Sequence, residues 1–152
     1  MFLRFNIWNS LPTTFFAATV VMMLSSGHSL SAQQLDASDG AAGDGFGGSV
    51  SLSGNTGLIG ASGDDDNGNG SGSAYIFRNL NTATGTVNES AKLLPSDGEL
   101  NDLFGDSVSL SGNTGLIGAR DDDNGIDSGS AYIFHNLDTA TGTVNELSLI
   151  HI

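Results

Sequence analysis

The sequence predicts an all-β protein made of β-propeller blades, two four-stranded units that follow an N-terminal signal peptide. Three observations predict this fold. A long segment occurs twice, each copy contains four short strand patterns separated by turn residues, and the aromatic residues of the two copies fall in register. Four-stranded repeats with glycine and aromatic residues at fixed places are typical of propeller blades.

The N-terminal segment has the pattern of a secretory signal peptide. It carries one fixed positive charge, Arg4, before the apolar run Phe15–Leu24, and small and polar residues follow. That is the order of a signal peptide's three regions, and the run is shorter than the roughly 20 apolar residues of a spanning helix. We therefore expect residues 1–32 to be a signal peptide, with cleavage after Ser31 or after Ala32. The mature protein would then be secreted, displayed on the cell surface or periplasmic.

The charge and the cysteine content exclude several functional classes. Beyond residue 32 the chain has 17 acidic and three basic side chains, a formal charge of −14, and it has no cysteine. Nucleic acids and anionic membranes attract proteins through clusters of Lys and Arg. We therefore expect no nucleic-acid partner and no membrane insertion after signal removal. A disulfide scaffold and a cysteine-based metal site are excluded.

The repeat is nearly exact. Asp44–Ala61 recurs as Asp102–Ala119 with 16 of 18 positions identical, and Asp64–Glu89 recurs as Asp121–Glu146 with 22 of 26 identical. Upstream, Gln34–Gly40 is a weaker copy of the segment that begins at Lys92. We therefore predict the outer strand of a preceding blade with its connection at 33–45, a first blade at 46–98, an incomplete second blade at 99–146 and a non-native tail at 147–152.

The tail breaks the repeat. The second unit stays in register through Glu146, where the first unit continues with its outermost strand, Ser90–Leu94, and Pro95. The second unit instead continues Leu-Ser-Leu-Ile-His-Ile, which is also the translation of CTGTCTCTTATACACATC, the end sequence of a transposase adapter. We expect residues 147–152 not to be selected for this fold. A genuine, divergent last strand is the alternative.

Each unit contains four predicted strands. In the first, Phe46–Ser53, the residues Val50 and Leu52 share one face and the serines share the other, which is the period of a strand. The strands that follow are Leu58–Ala61, Ser73–Phe77 and Ser90–Leu94, and Asn79–Asn88 is predicted to be a polar connection.

Ser73–Phe77 is apolar on both faces, so it requires other sheets on both sides. A β-solenoid or linear array is the alternative, but its coils would be shorter and its strands would not group in fours. A propeller closes with about four to eight blades, and a repeat unit depends on its neighbours. We therefore expect two units alone not to form a stable closed domain, and Tyr132, Ile133 and Phe134 to be open on one side.

The two units resemble FG-GAP repeats. The resemblance lies in Phe46-Gly47 with Gly60-Ala61, in Phe104-Gly105 with Gly118-Ala119, and in the Gly-Ser-Ala-Tyr-Ile-Phe that follows each pair. It covers residues 34–146. FG-GAP repeats are the blades of integrin-α-like propellers and of many secreted bacterial proteins. The resemblance implies a seven-bladed propeller used for adhesion or ligand binding, with an extracellular protein or glycan as partner.

The calcium site that the resemblance implies does not carry over to this sequence. Integrin-type blades usually hold calcium in an Asp-rich loop between the Phe-Gly and Gly-Ala strands. Here those loops are Ser53–Gly57 and Ser111–Gly115, and neither contains a carboxylate. Calcium prefers six to eight oxygen ligands, several of them charged. We therefore expect no calcium at these turns.

Acidic loops occur one connection later, before the strand that ends in Tyr-Ile-Phe. In the first unit Asp65, Asn67, Asn69 and Gly70 match the opening of an EF-type loop, although position twelve is Ile76 and not glutamate. Calcium is a possible ligand here, and a solvated turn is the alternative. The candidate metal residues are Asp64, Asp65, Asp66, Asn67, Asn69, Asp121, Asp122, Asp123, Asn124 and Asp127.

Catalysis has little support in the sequence. It contains no Gly-x-Ser-x-Gly, no His-Glu-x-x-His and no phosphate-binding glycine loop. His135 stands where the first unit has Arg78, so the position is not committed to one chemistry. We expect no enzyme and no certain cofactor. A binding or adhesion propeller is the first hypothesis, and a structural spacer of a larger surface protein, without a ligand of its own, is the alternative.

Overall fold

Strands, turns and loops make up the part of the chain that the structure describes. The structure is a computed structural model, and it describes residues 32–122 and 128–145. In these two ranges the protein is all-β, which confirms the predicted fold class. No helix in these ranges is long and apolar enough to cross a membrane. The predicted signal peptide up to Ser31 and the predicted tail lie outside them.

The strands follow the repeat. In chain order they are β1 (Gln34–Asp36), β2 (Ser49–Ser53), β3 (Thr56–Ala61), β4 (Ser73–Phe77), β5 (Thr86–Asn88), β6 (Ala91–Leu94), β7 (Phe104–Ser111), β8 (Thr114–Ala119), β9 (Ser130–Phe134) and β10 (Gly142–Asn145).

The strands form three sheets. The first unit contributes β2, β3, β4 and β6, joined side by side in antiparallel pairs. The second unit contributes the antiparallel sheet β7-β8-β9. β1 and β5 form a separate parallel pair, and β10 adds in parallel to the outer edge of β6. The first unit is therefore a four-stranded blade to which the second unit adds a strand.

The prediction of a connection without a strand at Asn79–Asn88 is wrong. Its last three residues form β5, which lies beside β1, and β10 lies beside β6 in the same way. β5 and β10 occupy equivalent positions in the two units. β1 and β6 are also equivalent, because the segment that begins with β1 is the weaker copy of the segment that begins at Lys92. In each unit, the short strand β5 or β10 therefore pairs with the outer strand that precedes that unit in the sequence, β1 or β6. The paired segments are roughly 50 residues apart.

Glycine permits the tight hairpin that begins each unit. Ser53 pairs with Thr56, so the chain between β2 and β3 turns on Gly54 and Asn55 alone. Gly54 has a φ of 61°, in the left-handed region where a side chain would be strained, and Gly112 repeats it at 59°.

The main hydrophobic core lies between the two units. The first unit contributes the buried residues Leu58, Ala74 and Ile76, and the second contributes Phe104, Tyr132 and other apolar residues. The Phe104 ring packs edge-on against Tyr132, with ring centres 5.3 Å apart. A smaller core on the opposite face of β4 contains Ile59, Ala61, Tyr75 and Phe77, packed by β1 and β5. The strand Ser73–Phe77 is thus covered on both faces, as its composition predicts.

Two motif glycines lie where the backbones of the units touch. A Cβ on Gly60 would collide with the carbonyl of Gly105, and a Cβ on Gly105 would collide with the carbonyl of Ser73. The glycine of the Gly-Ala pair in the first unit therefore accommodates the glycine of the Phe-Gly pair in the second. This close approach aligns the two sheets.

The outer face of the second unit is open, but not at all the residues that the sequence suggests. Ile133 is exposed, whereas Tyr132 and Phe134 are buried. The prediction is wrong for the two aromatic residues because side chains alternate along β9. Tyr132 and Phe134 point toward the first unit, and Ile133 points away from it.

Candidate functional site: the acidic loops and the Lys92 cluster

Lys92 is the centre of a buried polar cluster in the first unit. β6 positions it, its side chain is 7% exposed, and its Nζ atom lies 2.7 Å from Asp39, 2.9 Å from Asp64 and 2.7 Å from Asp66. The ammonium also lies 5.2 Å from the centre of the Tyr75 ring. Three carboxylates and an aromatic ring therefore surround one cation, which compensates its removal from water.

Tyr75 links this cluster to the strand that runs through the middle of the blade. Its hydroxyl donates a 2.5 Å hydrogen bond to Asp64, and the Asp39 carboxylate lies 3.1 Å from the same hydroxyl oxygen. Burial and the hydrogen bond to Asp64 raise the pKa of Tyr75 far above its ordinary value. The tyrosine therefore stays a hydrogen-bond donor at any physiological pH.

The pKa values of the central pair move apart. Burial alone would raise the pKa of Asp64, but hydrogen bonds from Tyr75 and Lys92 and the charge of Lys92 outweigh burial, so this pKa is lowered. Burial alone would lower the pKa of Lys92, but its hydrogen bonds to Asp39, Asp66 and Asp64 outweigh burial and raise this pKa. Both groups are charged at neutral pH, and each stabilises the charge of the other.

The other predicted ligands of the first loop hold the loop together. The Asp65 carboxylate accepts hydrogen bonds from the backbone N–H of Gly70 at 2.8 Å and from the Asn69 side chain at 3.2 Å. Asn67 donates its side-chain amide to the carbonyl of Pro95. The structure thus divides the predicted set: Asp64 and Asp66 meet at Lys92, and Asp65 and Asn69 meet each other.

The second unit repeats the buried tyrosine and aspartates. Tyr132 donates a hydrogen bond to Asp122 at 2.7 Å, the Asp97 carboxylate lies 3.0 Å from the same hydroxyl oxygen, and Asp122 is buried. Burial, together with the hydrogen bonds to Asp122 and Asp97, raises the pKa of Tyr132. Asp121 pairs with Arg120 instead, at 3.4 Å on the surface.

The rest of the second loop is not described. Asp123, Asn124 and Asp127 lie outside the described residues. So does Leu149, the residue of the second unit that corresponds to Lys92 in the sequence repeat. Among residues 32–122 and 128–145, no group of three or more His, Asp or Glu is arranged to hold a metal ion. Calcium at the two acidic loops stays a prediction.

Sequence reasoning missed the partners of Asp64. Asp39 precedes the first unit, Tyr75 looks like a core aromatic residue, and Lys92 lies in a strand that is otherwise apolar. Two signals could have found them. Lys92 is the single lysine of the chain, and the Asp39–Tyr75 pair recurs in register as Asp97–Tyr132. A lone lysine on a buried strand requires an acidic partner.

Six positions differ between the matched segments of the two units, and two of them follow the Tyr-Ile-Phe strand, at the end of β4 away from the acidic loops. Arg78 and Asn81 in the first unit correspond to His135 and Asp138 in the second, and the strands between them are nearly identical. The Arg78 guanidinium donates a 2.5 Å hydrogen bond to the carbonyl of Asp138. The structure therefore brings these two variable positions of one unit close to those of the other.

A family model for the FG-GAP repeat matches the chain twice, at residues 31–77 and 87–134. No curated protein and no solved structure matches it significantly. Each matched segment ends at the Tyr-Ile-Phe strand of one unit and includes the outer strand that precedes that unit.

Proposed function

Because the chain belongs to the FG-GAP repeat family, we propose that it is a secreted or surface-displayed binding module whose ligand contacts the loops at the Arg78 end of the blades. The ligand would be an extracellular protein or a glycan. The chain is a repeat module of the FG-GAP type, and the proposal adds a role in recognition without catalysis. The pattern of the leader supports export.

One observation carries the proposal: at two of the six positions that differ between the units, the side chains of both units lie close together on loops of a nearly invariant scaffold. Asn81, His135 and Asp138 are exposed, and Arg78 is half-buried where it reaches the second unit. Loops on a rigid scaffold are where proteins most often place binding residues. Guanidinium, imidazole, amide and carboxylate groups together offer donors and acceptors suited to a polar ligand.

The proposal is tested with a glycan array and a panel of immobilised extracellular proteins probed with the full chain. A hit is then measured with the double variant Arg78→His, Asn81→Asp, which gives the first unit the residues of the second. We expect the affinity to fall about tenfold or more, a loss of about 1.4 kcal/mol. Asn69→Ile is the matched control, because it makes the same kind of exchange at the other end of β4.

A structural spacer is the second candidate. The near-identity of Asn79–Glu89 with its copy in the second unit, which differs only at Asn81 and Asp138, supports it. A spacer should give no hit in either screen, and any weak binding should respond equally to the double variant and to Asn69→Ile.

A further inference from the structure

The contact between the two units has two different faces. The first unit presents Ser49, Ser51 and Ser53 from β2, with Leu58 and Ile76 beside them; we name this its trailing face. The second unit presents Val108 and Leu110 from β7, with Phe104 beside them; we name this its leading face. Because β2 and β7 have the same Ser-Val-Ser-Leu-Ser sequence, every unit carries both faces on opposite sides of its sheet.

Hydrogen bonds fix the register of this contact. Ser49 donates its hydroxyl to the carbonyl of Gly105 at 2.6 Å, and Ser51 accepts the backbone N–H of Leu110 at 3.0 Å. Ser53 accepts the N–H of Gly112, also at 3.0 Å. The serines of β2 thus bind the backbone of β7 and of the turn that follows it. The apolar residues around them complete the core between the units.

Each of these faces also has an exposed counterpart on the other repeat unit. On the leading face of the first unit Leu52 is 68% exposed, whereas its counterpart Leu110 is 8% exposed. On the trailing face of the second unit Leu116 is 45% exposed, whereas its counterpart Leu58 is fully buried. The leading face of the first unit and the trailing face of the second unit are therefore both exposed, and their counterparts are in contact inside the protein.

We propose that the trailing face of the second unit binds the leading face of the first unit of a second copy of this chain, in the register of the internal contact. Ser107 would donate to the carbonyl of Gly47 of the second copy. Ser109 would accept the N–H of its Leu52, and Ser111 the N–H of its Gly54. Each is the residue that occupies the same repeat position in the internal contact.

This contact joins two different faces, so a copy can use both at once and the association closes into a ring or continues as a filament. That property gives a sharp test. Leu52→Asp blocks the leading face and Ser109→Asp blocks the trailing face, because an unpaired carboxylate buried in the contact is costly. Both positions are exposed in the single copy, so neither change disturbs its core.

Sedimentation equilibrium of the full chain measures the result. We expect the wild type to exceed the mass of one copy, each variant alone to sediment as one copy, and an equimolar mixture of the two variants to give a species of two copies and no larger. Only a head-to-tail contact restores association in the mixture. Leu100→Asp is the control, because Leu100 is exposed outside both faces, and this variant should assemble like the wild type.

Three results would overturn the proposal: a wild type that stays a single copy up to millimolar concentration, a mixture that stays a single copy while the wild type assembles, or a Leu100→Asp variant that loses assembly. Circular dichroism verifies the fold of each variant. If Leu52→Asp does not fold, Val50→Asp blocks the same face and takes its place.

Discussion

Lys92→Met removes the cation at the centre of the first unit's polar cluster while keeping a side chain of similar length. The change leaves Asp39, Asp64 and Asp66 around one point without a positive charge. Removing one partner of a fully buried ion pair costs about 3–5 kcal/mol. Asp64 is buried, but Asp39 and Asp66 are 46% and 45% exposed and can be hydrated. We therefore expect a loss near the lower end, about 3 kcal/mol.

The assay is urea unfolding of the full chain at one fixed protein concentration, because association changes apparent stability. Arg78→Met is the matched control: it also removes a cation, but one at the surface that donates a hydrogen bond to a carbonyl. We expect the control to lose less than about 1 kcal/mol. A Lys92→Met variant no less stable than the control would refute the reasoning.

Calcium gives the same experiment a second readout. In Lys92→Met the three carboxylates face one another, and oxygen-rich clusters of this kind favour a hard divalent cation. Millimolar calcium should therefore restore part of the lost stability of Lys92→Met and should leave Arg78→Met unchanged. Equal responses of the two variants would show that the carboxylates separate when the lysine is removed.

The stability of the wild type should fall as the pH drops below the ordinary carboxyl value of 3.8. The folded-state pKa of Asp64 is lowered, so its contribution to the free energy of unfolding is complete above the ordinary value and is lost as the pH falls through the folded-state pKa. Acid titration monitored by circular dichroism measures the pH midpoint of unfolding, and an unchanged midpoint in Asp64→Asn would contradict the prediction. Gly60→Ala should destabilise the protein by about 3 kcal/mol, because a backbone carbonyl of the other unit blocks the methyl group, whereas Gly118→Ala meets only a serine side chain and should cost less in the same urea assay. Calorimetry should detect at most weak calcium binding to the wild type, lost in Asp65→Ala; submicromolar affinity that survives this change would show that the ligands lie elsewhere.

The strands of the fold could be predicted from the sequence because the repeat places the same pattern twice. Ser73–Phe77 reads as a strand buried on both faces, and the structure covers both faces. β5 was not predictable in this way. Thr86–Asn88 is short and polar, and it becomes a strand only because β1 lies beside it, a partner far away in sequence. Local pattern carries no information about such a partner.

The candidate site likewise combines features that the local sequence predicts with features that depend on distant partners. The Asp-rich loops are visible as composition, and their local hydrogen bonds, such as that from Gly70 to Asp65, follow from proximity along the chain. The Lys92 cluster depends instead on packing. Asp39 and Lys92 are separated by 53 positions, and only the assembled sheets bring them to 2.7 Å. Sequence alone could identify the lone lysine, but not the three carboxylates that surround it.

The parallel pairing of β5 with β1 and of β10 with β6 has a consequence for the order in which the protein is built. A chain that emerges N-terminus first exposes the edge of β6 until β10 has followed it, roughly 50 residues later. Closing so long a loop is slow, and an unpaired edge invites pairing with other chains. The first unit is therefore completed only when the second is made, and an interruption of synthesis between β6 and β10 would leave the edge of β6 unpaired.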